Sequence, residues 1–267
     1  MSIAFSRTCL LAFLSINLLI NKALSQDDLS NNCSYFVCVE GGIVRSDTTE
    51  KALTLVFTGH EFAEGIPHIL KTLKRQKVKA AFFFTGDFYR NPDFKSHIKQ
   101  LKKAGHYLGA HSDKHLLYCT WENRDSLLVD KATFEKDVLD NYKAMQAFGI
   151  EKQAAPFYMP PYEWYNQQIS DWTQELGLQI VNFTPGTRSN ADYTTPDMQN
   201  YISSESIYQS ILQFEKNQPN GLNGFILLIH AGTSPKRKDK FYLRLDDLIN
   251  ELKNRGYQFL PITKLLD

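Results

Sequence analysis

The chain alternates short, continuous apolar runs with longer stretches whose apolar residues return every three or four positions. TLVF (Thr54 to Phe57) and KAAFFFTG (ending at Gly86) are of the first kind, the pattern of strands buried on both faces. Between them, IPHILKTLKRQKV carries Ile66, Ile69, Leu70 and Leu73 at helical spacing. The unit then recurs. FKSHIKQLKKAGH has Ile98 and Leu101 with a stop at Gly105, and YLGAHSDKH follows as a short strand with a polar end. Further on the pattern predicts a long helix from Lys131 to Phe148, a helix after Pro161 ending near Gly177, the strand LQIVNF and a helix around Ser206 to Asn217. The strand GFILLIH, the helix LRLDDLINELKNRG and the run YQFLPI complete the series. Strands alternating with helices at this spacing predict an α/β fold on a parallel sheet, open or closed into a barrel.

Such sheets place their chemistry beyond the carboxyl ends of the strands. Three polar tails should therefore converge: TGHE, with His60 and Glu61; HSDKH, with His111 and His115; and His230, which closes FILLI. Two imidazoles four residues apart can share a face on a helix or on a tight turn, so His111 and His115 could hold one borderline metal such as zinc, cobalt or nickel. Two ordinary histidines are the alternative, and a satisfied core histidine is the alternative for His230.

Composition sets limits. A chain of 267 residues with 43% hydrophobic content can bury one large core. A net charge of +1 gives no support to nucleic acid as a partner. The basic run SPKRKDK (Ser234 to Lys240) reads as a solvated loop. At the amino end, Arg7, the apolar run Leu10 to Ile20 and the small residues Ala23 and Ser25 have the layout of a secretory signal cleaved after Ser25. The expected division is a signal peptide over 1–25, a lead-in segment over 26–50 and the α/β domain over 51–267. The protein is then expected to be secreted or periplasmic, with no stable membrane insertion after cleavage. In an oxidising compartment Cys33 and Cys38 could bridge a small loop, which leaves Cys119 as a free thiol. Whether GGIVRSD belongs to a small lead-in structure or to a strand closing the barrel is open. Asn32 and Asn182 each begin a glycosylation triplet.

From about Ala52 to its end the chain resembles the polysaccharide deacetylases of carbohydrate esterase family four, with their NodB homology domain. The family's His-Ser-x-x-His motif matches His111, Ser112 and His115, its aromatic-proline motif matches Met159 to Tyr162 (MPPY), and its Leu-x-His motif matches Leu228 to His230. VKAAFFFTG and LKNRGYQFLPITKLL are similar to the family's second strand and its closing helix and strand. The resemblance implies a distorted (β/α) barrel of about seven parallel strands. It also implies hydrolysis of N- or O-linked acetyl groups from a glycan, with one divalent metal, zinc first, held by two histidines and an acid.

The family's acids come from an Asp-Asp pair after the first strand, and this chain has none. Counting back without gaps from KAAFFF sets His60 over the metal-binding acid and Gly59 over the base, whereas a one-residue shift puts Glu61 on the metal or makes it the base. A metal set of His60, His111 and His115 follows, with Glu61 as the first candidate base and Asp113 as the second. The arginine that orients the family's catalytic acid is replaced by Met159. Arg188 and Asp192, where the fourth motif falls, could supply the missing charge pair. By the same resemblance His230 is the general acid, the Tyr162 amide helps hold the oxyanion, and Leu228 forms part of an acetyl pocket. Tyr158, Tyr162, Trp164 and Tyr165 would stack on sugar faces, with core packing as the alternative. The missing acids leave a second reading, an inactive deacetylase fold that binds a glycan or a partner.

Overall fold

The computed structural model describes residues 32–267. The signal peptide expected over 1–25 lies outside the described residues. Strands β1 (Val37–Val39) and β2 (Gly42–Arg45) form an antiparallel hairpin that reverses at Glu40 and Gly41, both with positive φ (49° and 73°), as a tight hairpin turn requires. A disulfide joins Cys33 to Cys38 beside it. Cys119 is a free thiol, fully buried.

The parallel series follows. Strand β3 (Ala52–Gly59) leads to α1 (Ile66–Gln76), which ends at the left-handed Lys77. Strand β4 (Ala81–Phe84) turns directly into the short α2 (Gly86–Arg90), whose first turn is capped by the Thr85 hydroxyl accepting from the Phe88 amide, and α3 (Lys95–Lys103) follows. Next come β5 (Tyr107–Ala110), α4 (Lys131–Gln146), β6 (Phe157–Tyr158), α5 (Gln167–Glu175), β7 (Gln179–Ile180) and α6 (Ser204–Asn217). Strand β8 (Phe225–His230), α7 (Leu245–Asn254), β9 (Gln258–Phe259) and α8 (Ile262–Leu265) close the chain. Helices α1 and α3 to α7 fall where the periodicity predicts them, and the short α2 and α8 are not foreseen by it.

The sheet runs in the order β1-β2-β8-β3-β4-β5-β6-β7, with β9 paired to the start of β3. Strands β3 to β9 pair in parallel, and β2 meets β8 antiparallel at Arg45 and Phe225. A bridge between Ile43 and Val181, with the Asn182 amide donating to the Ile43 carbonyl at 2.8 Å, brings the two ends of the curled sheet together. GGIVRSD is thus the strand that closes the barrel.

Alternation along β3 sorts two cores. Leu53, Leu55 and Phe57 face the helices and pack with Ile66, Ile69 and Leu73 of α1. Ala52 and Val56 face inward with Phe83, Met159 and Leu228, and Ile262 and Leu265 of α8 belong to the same inner cluster. Since the Leu260 amide bonds the Leu53 carbonyl, α8 plugs the interior from the end where β3 starts. The other end is left for chemistry.

Candidate active site at the carboxyl ends of the strands

A cavity of about 720 Å³ opens over the ends of β3, β5 and β8, and His60, Glu61, His111, His115, Tyr162 and His230 all line it. The three polar tails converge as the sequence predicts. Register decides what β3 contributes. Thr58 pairs with His230 across the β3–β8 ladder and points inward, whereas a Cβ added at Gly59 would come within 2.9 Å of the Phe84 ring on the outer face. The residue facing the cavity beside His230 is therefore Thr58, and the ungapped count that set Gly59 over the base falls on the wrong side of the strand. The Thr58 hydroxyl is buried and has no hydrogen-bond partner.

The HSDKH turn is built around two acceptors on α4. Asn141 accepts from the His111 amide at 2.8 Å, and Asp137 accepts from the amides of Asp113 and Lys114 at 3.1 and 3.0 Å. Positive φ at Ser112 (69°) and His115 (56°) folds the second histidine back over the first. His111 Nδ1 lies 2.9 Å from the Met159 carbonyl oxygen, an orienting bond that leaves Nε2 free. Burial, followed by neighbouring imidazoles and opposed by that carbonyl, holds the His111 pKa at about 3. For His115, burial and then the charges of His111, His60 and His230 hold it at about 2. Both rings are neutral, the state a metal ligand needs.

The fit to a common ion is partial. The rings of His60 and His115 stack face to face, 4.8 Å apart and 8° from parallel, while the His111 and His115 rings cross at 62°. An ion in the plane of one stacked ring lies off the plane of the other, and imidazole lone pairs act in the ring plane. Among the described residues no set of three His, Cys, Asp or Glu side chains is arranged to hold a metal ion. The chemistry of the donors suits a divalent metal, and their present arrangement does not complete a three-histidine centre.

The remaining expected residues divide. Tyr162 stands 45% exposed at the rim, its ring 4.3 Å from that of His115. Glu61 is exposed on the ridge between this cavity and a neighbouring one of about 550 Å³. Asp113 is not available as a base: its carboxylate is buried and held by Arg90 at 2.7 and 2.9 Å. Leu228 faces the barrel interior and does not line the cavity, because it lies one full strand repeat below His230. Trp164 also stays out of the cavity. Its ring packs on the outer core, its Nε1 donates to the Thr120 carbonyl at 3.1 Å, and the Arg124 guanidinium covers its face at 4.4 Å. Tyr158 and Tyr165 are fully buried packing residues and meet no solvent.

Arg188 is exposed and makes no pair with Asp192. Instead Asp192, fully buried, accepts from the His230 amide at 3.0 Å and lies 2.6 Å from His230 Nδ1. Burial alone would lower the His230 pKa, but the charge and hydrogen bond of Asp192, with the charge of Glu163, outweigh it and raise the value. Arg237 corrects the solvated reading of SPKRKDK. It is wholly buried and donates to the carbonyls of Thr194 and Ile202 at 2.7 and 3.0 Å, bracing the segment that carries Asp192.

Three groups escaped sequence reasoning. Trp121 is 54% exposed and lines the cavity, with Tyr162 at 5.7 Å and Trp164 at 5.6 Å between ring centroids. Tyr193, 45% exposed, stands edge-on to the His230 ring at 5.4 Å. Glu163 also faces the cavity; burial, opposed by His230 and reinforced by Asp192, pushes its carboxyl up to about 7. A signal was present for Trp121, an aromatic six residues after His115 at the same strand end.

The family model for polysaccharide deacetylase matches residues 45–181, just over half of the chain. The chain belongs to the polysaccharide deacetylase family. A peptidoglycan-N-acetylglucosamine deacetylase of Bacillus cereus is 27% identical over 218 residues, covering 81% of this chain and 89% of that protein. A peptidoglycan-N-acetylmuramic acid deacetylase of Bacillus subtilis is 26% identical over 220 residues, covering 82% of this chain and 73% of its own. Among solved structures, a family 4 carbohydrate esterase pseudoenzyme from Bacillus anthracis matches with a TM-score of 0.68 at 20% identity, covering 86% of this chain and 70% of that one. At that identity the likeness speaks for the fold, which is the curled, mostly parallel barrel of this deacetylase family.

Proposed function

We propose that this member of the polysaccharide deacetylase family hydrolyses N- or O-linked acetyl groups from an acetylated glycan in the strand-end cavity. The observation that carries the reading is the His230–Asp192 pair, which faces a cavity rimmed by exposed aromatic rings. A surface that only binds sugar has no use for an imidazole kept protonatable by a buried carboxylate. His230 would protonate the leaving amine or alkoxide, and the Tyr162 amide would hold the oxyanion. Trp121, Tyr162 and Tyr193 offer apolar ring faces to the sugar. The relatives' action on peptidoglycan favours a polymer of acetylamino sugars.

A divalent ion, zinc first and cobalt or nickel next, belongs to this reading, with His111, His115 and a reoriented His60 as its holders. When bound, such an ion polarises an acetyl carbonyl and acidifies a water. The neutral state of His111 and His115 supports it. An exported setting also belongs to the proposal, supported by the leader-like amino terminus and the Cys33–Cys38 disulfide. Among the described residues no helix is long and apolar enough to cross a membrane.

A second reading, a binding protein without catalysis, draws on the missing Asp-Asp pair after β3, where the chain reads Thr58-Gly59-His60-Glu61, and on Met159 in place of the family's arginine. Acetate release from a panel of acetylated glycans, with zinc, cobalt or nickel added, separates the two. Metal-dependent release that is lost in His111→Ala supports deacetylation. Release that survives His111→Ala removes the metal, and glycan binding without release under every condition selects the second reading.

A further inference from the structure

Glu163 enters the cavity through an unusual backbone. Tyr162 and Glu163 both take left-handed conformations, with φ of 58° and 54°, which non-glycine residues adopt only when surrounding structure imposes them. Three bonds do so here. The Glu163 amide donates to the Pro160 carbonyl at 3.1 Å, the Trp164 amide to the Pro161 carbonyl at 3.3 Å, and Asn182 Nδ2 to the Glu163 carbonyl at 2.9 Å. The consequence is a division of labour between neighbours: Tyr162 stands at the rim, and Glu163 lines the cavity together with His230 and the unpartnered Thr58 hydroxyl. Among the described residues no lysine or arginine forms an ion pair with Glu163, whereas Asp113 is held by Arg90 and Lys114 and Glu64 by Lys240.

We infer that Glu163, set in the cavity with His230 and Thr58, is the catalytic carboxylate that takes the proton of the attacking water, a role that rests on the deacetylation reading. Thr58 offers that water a hydrogen-bonding partner. As the water oxygen bonds to the acetyl carbon, one water proton passes to Glu163 and the carbonyl electron pair moves to its oxygen. The C–N or C–O bond then breaks as the carbonyl re-forms, and the leaving atom takes a proton from the His230 imidazolium. Glu163 returns its proton to His230, and the products are acetic acid and the free amine or alcohol. Burial supports the assignment, because it brings the carboxyl to about 7, where it can both accept and release a proton. The other titratable groups on the cavity are His60, His111, His115, Glu61, Tyr162, Tyr193, and Lys236 with its partner Asp197 at 2.9 Å. Glu61, exposed on the outer ridge, is the alternative.

The test is the pH dependence of acetate release by the wild type, Glu163→Gln and Glu61→Gln on the acetylated glycan the wild type cleaves. Expected for Glu163→Gln is a fall in kcat of about 100-fold or more, a nearly unchanged KM and loss of the acidic limb, with Glu61→Gln close to wild type. Full rate and an unchanged profile in Glu163→Gln overturn the role of Glu163 and leave deacetylation standing. No release by the wild type from any glycan overturns both. Infrared difference spectra give a readout independent of turnover: a protonated-carboxyl band at pH 6 that disappears by pH 9 and is missing in Glu163→Gln supports the assignment, and its absence from the wild type overturns it.

Discussion

His230 Nδ1 lies 2.6 Å from one oxygen of Asp192, and the other oxygen of the same carboxylate accepts from the His230 amide at 3.0 Å. Ring and backbone are thus fixed by one buried group. The folded-state pKa of His230 stands above its ordinary value of 6.5, so the pair's contribution to stability is complete below that value and is lost as the pH rises through the raised one. Asp192→Asn is expected to cost about 3 kcal/mol at pH 5.5 and clearly less at pH 9. Thermal unfolding at the two pH values measures the difference, and equal losses would contradict the pairing. In acetate release the alkaline limb should move to lower pH.

Arg90 grips Asp113 through both carboxylate oxygens, at 2.7 and 2.9 Å, while Lys114 stands at 3.8 Å. Removing the arginine leaves a buried carboxylate with one weak partner. Arg90→Ala should destabilise the protein by about 2 kcal/mol, a value kept low because the arginine itself is partly solvated. Asp113→Asn should lower the melting temperature and leave kcat within a few-fold of wild type. A loss of kcat in a variant that remains folded would restore Asp113 as a proton acceptor.

Trp121 at the rim and Trp164 behind it should respond in opposite ways. Trp121 is exposed and edge-on to Tyr162, whereas Trp164 is wedged between Arg124 and the core. Trp121→Ala should raise KM for the glycan about 5-fold, equivalent to the roughly 1 kcal/mol of one ring face, with little change in melting temperature. Trp164→Ala should lower the melting temperature first. Kinetics and thermal unfolding on the same two variants decide the assignment.

What could be read in the sequence follows from what enforces each feature. Strands β3, β4, β5 and β8 are buried on both faces and announce themselves as apolar runs, and their polar tails could be sent to one end of the sheet by topology alone. Strand β6 is two residues long, too short for any period to show, whereas the equally short β7 lies inside the predicted run LQIVNF. Gly59 and Leu228 were misplaced because a one-residue or two-residue step along a strand changes face or depth, and sequence spacing does not carry register. Glu163 was hidden for another reason. Its neighbours in PYEW suggest a solvent-facing turn, and only one long-range bond from Asn182, together with left-handed backbone at two residues, directs its side chain into the cavity.

Stability should record the same partly buried carboxyl without any substrate. Glu163 has its folded-state pKa raised from 4.5 to about 7, so the folded protein binds this proton more tightly than the unfolded chain between those values. Its contribution to stability is therefore full below about pH 4.5 and is withdrawn as the pH climbs through about 7. A shift of that size corresponds to roughly 3 kcal/mol at about 1.4 kcal/mol per unit. Glutamine has nearly the same shape and no proton to lose, so Glu163→Gln should unfold at a temperature close to wild type at pH 5 and at a higher one at pH 8. Because the strained φ values are unchanged in the variant, the difference between the two pH values isolates the charge from the turn. A variant that is less stable than wild type at pH 8 by as much as at pH 5 would mean that Glu163 is ionised without cost, solvated at the rim like Glu61.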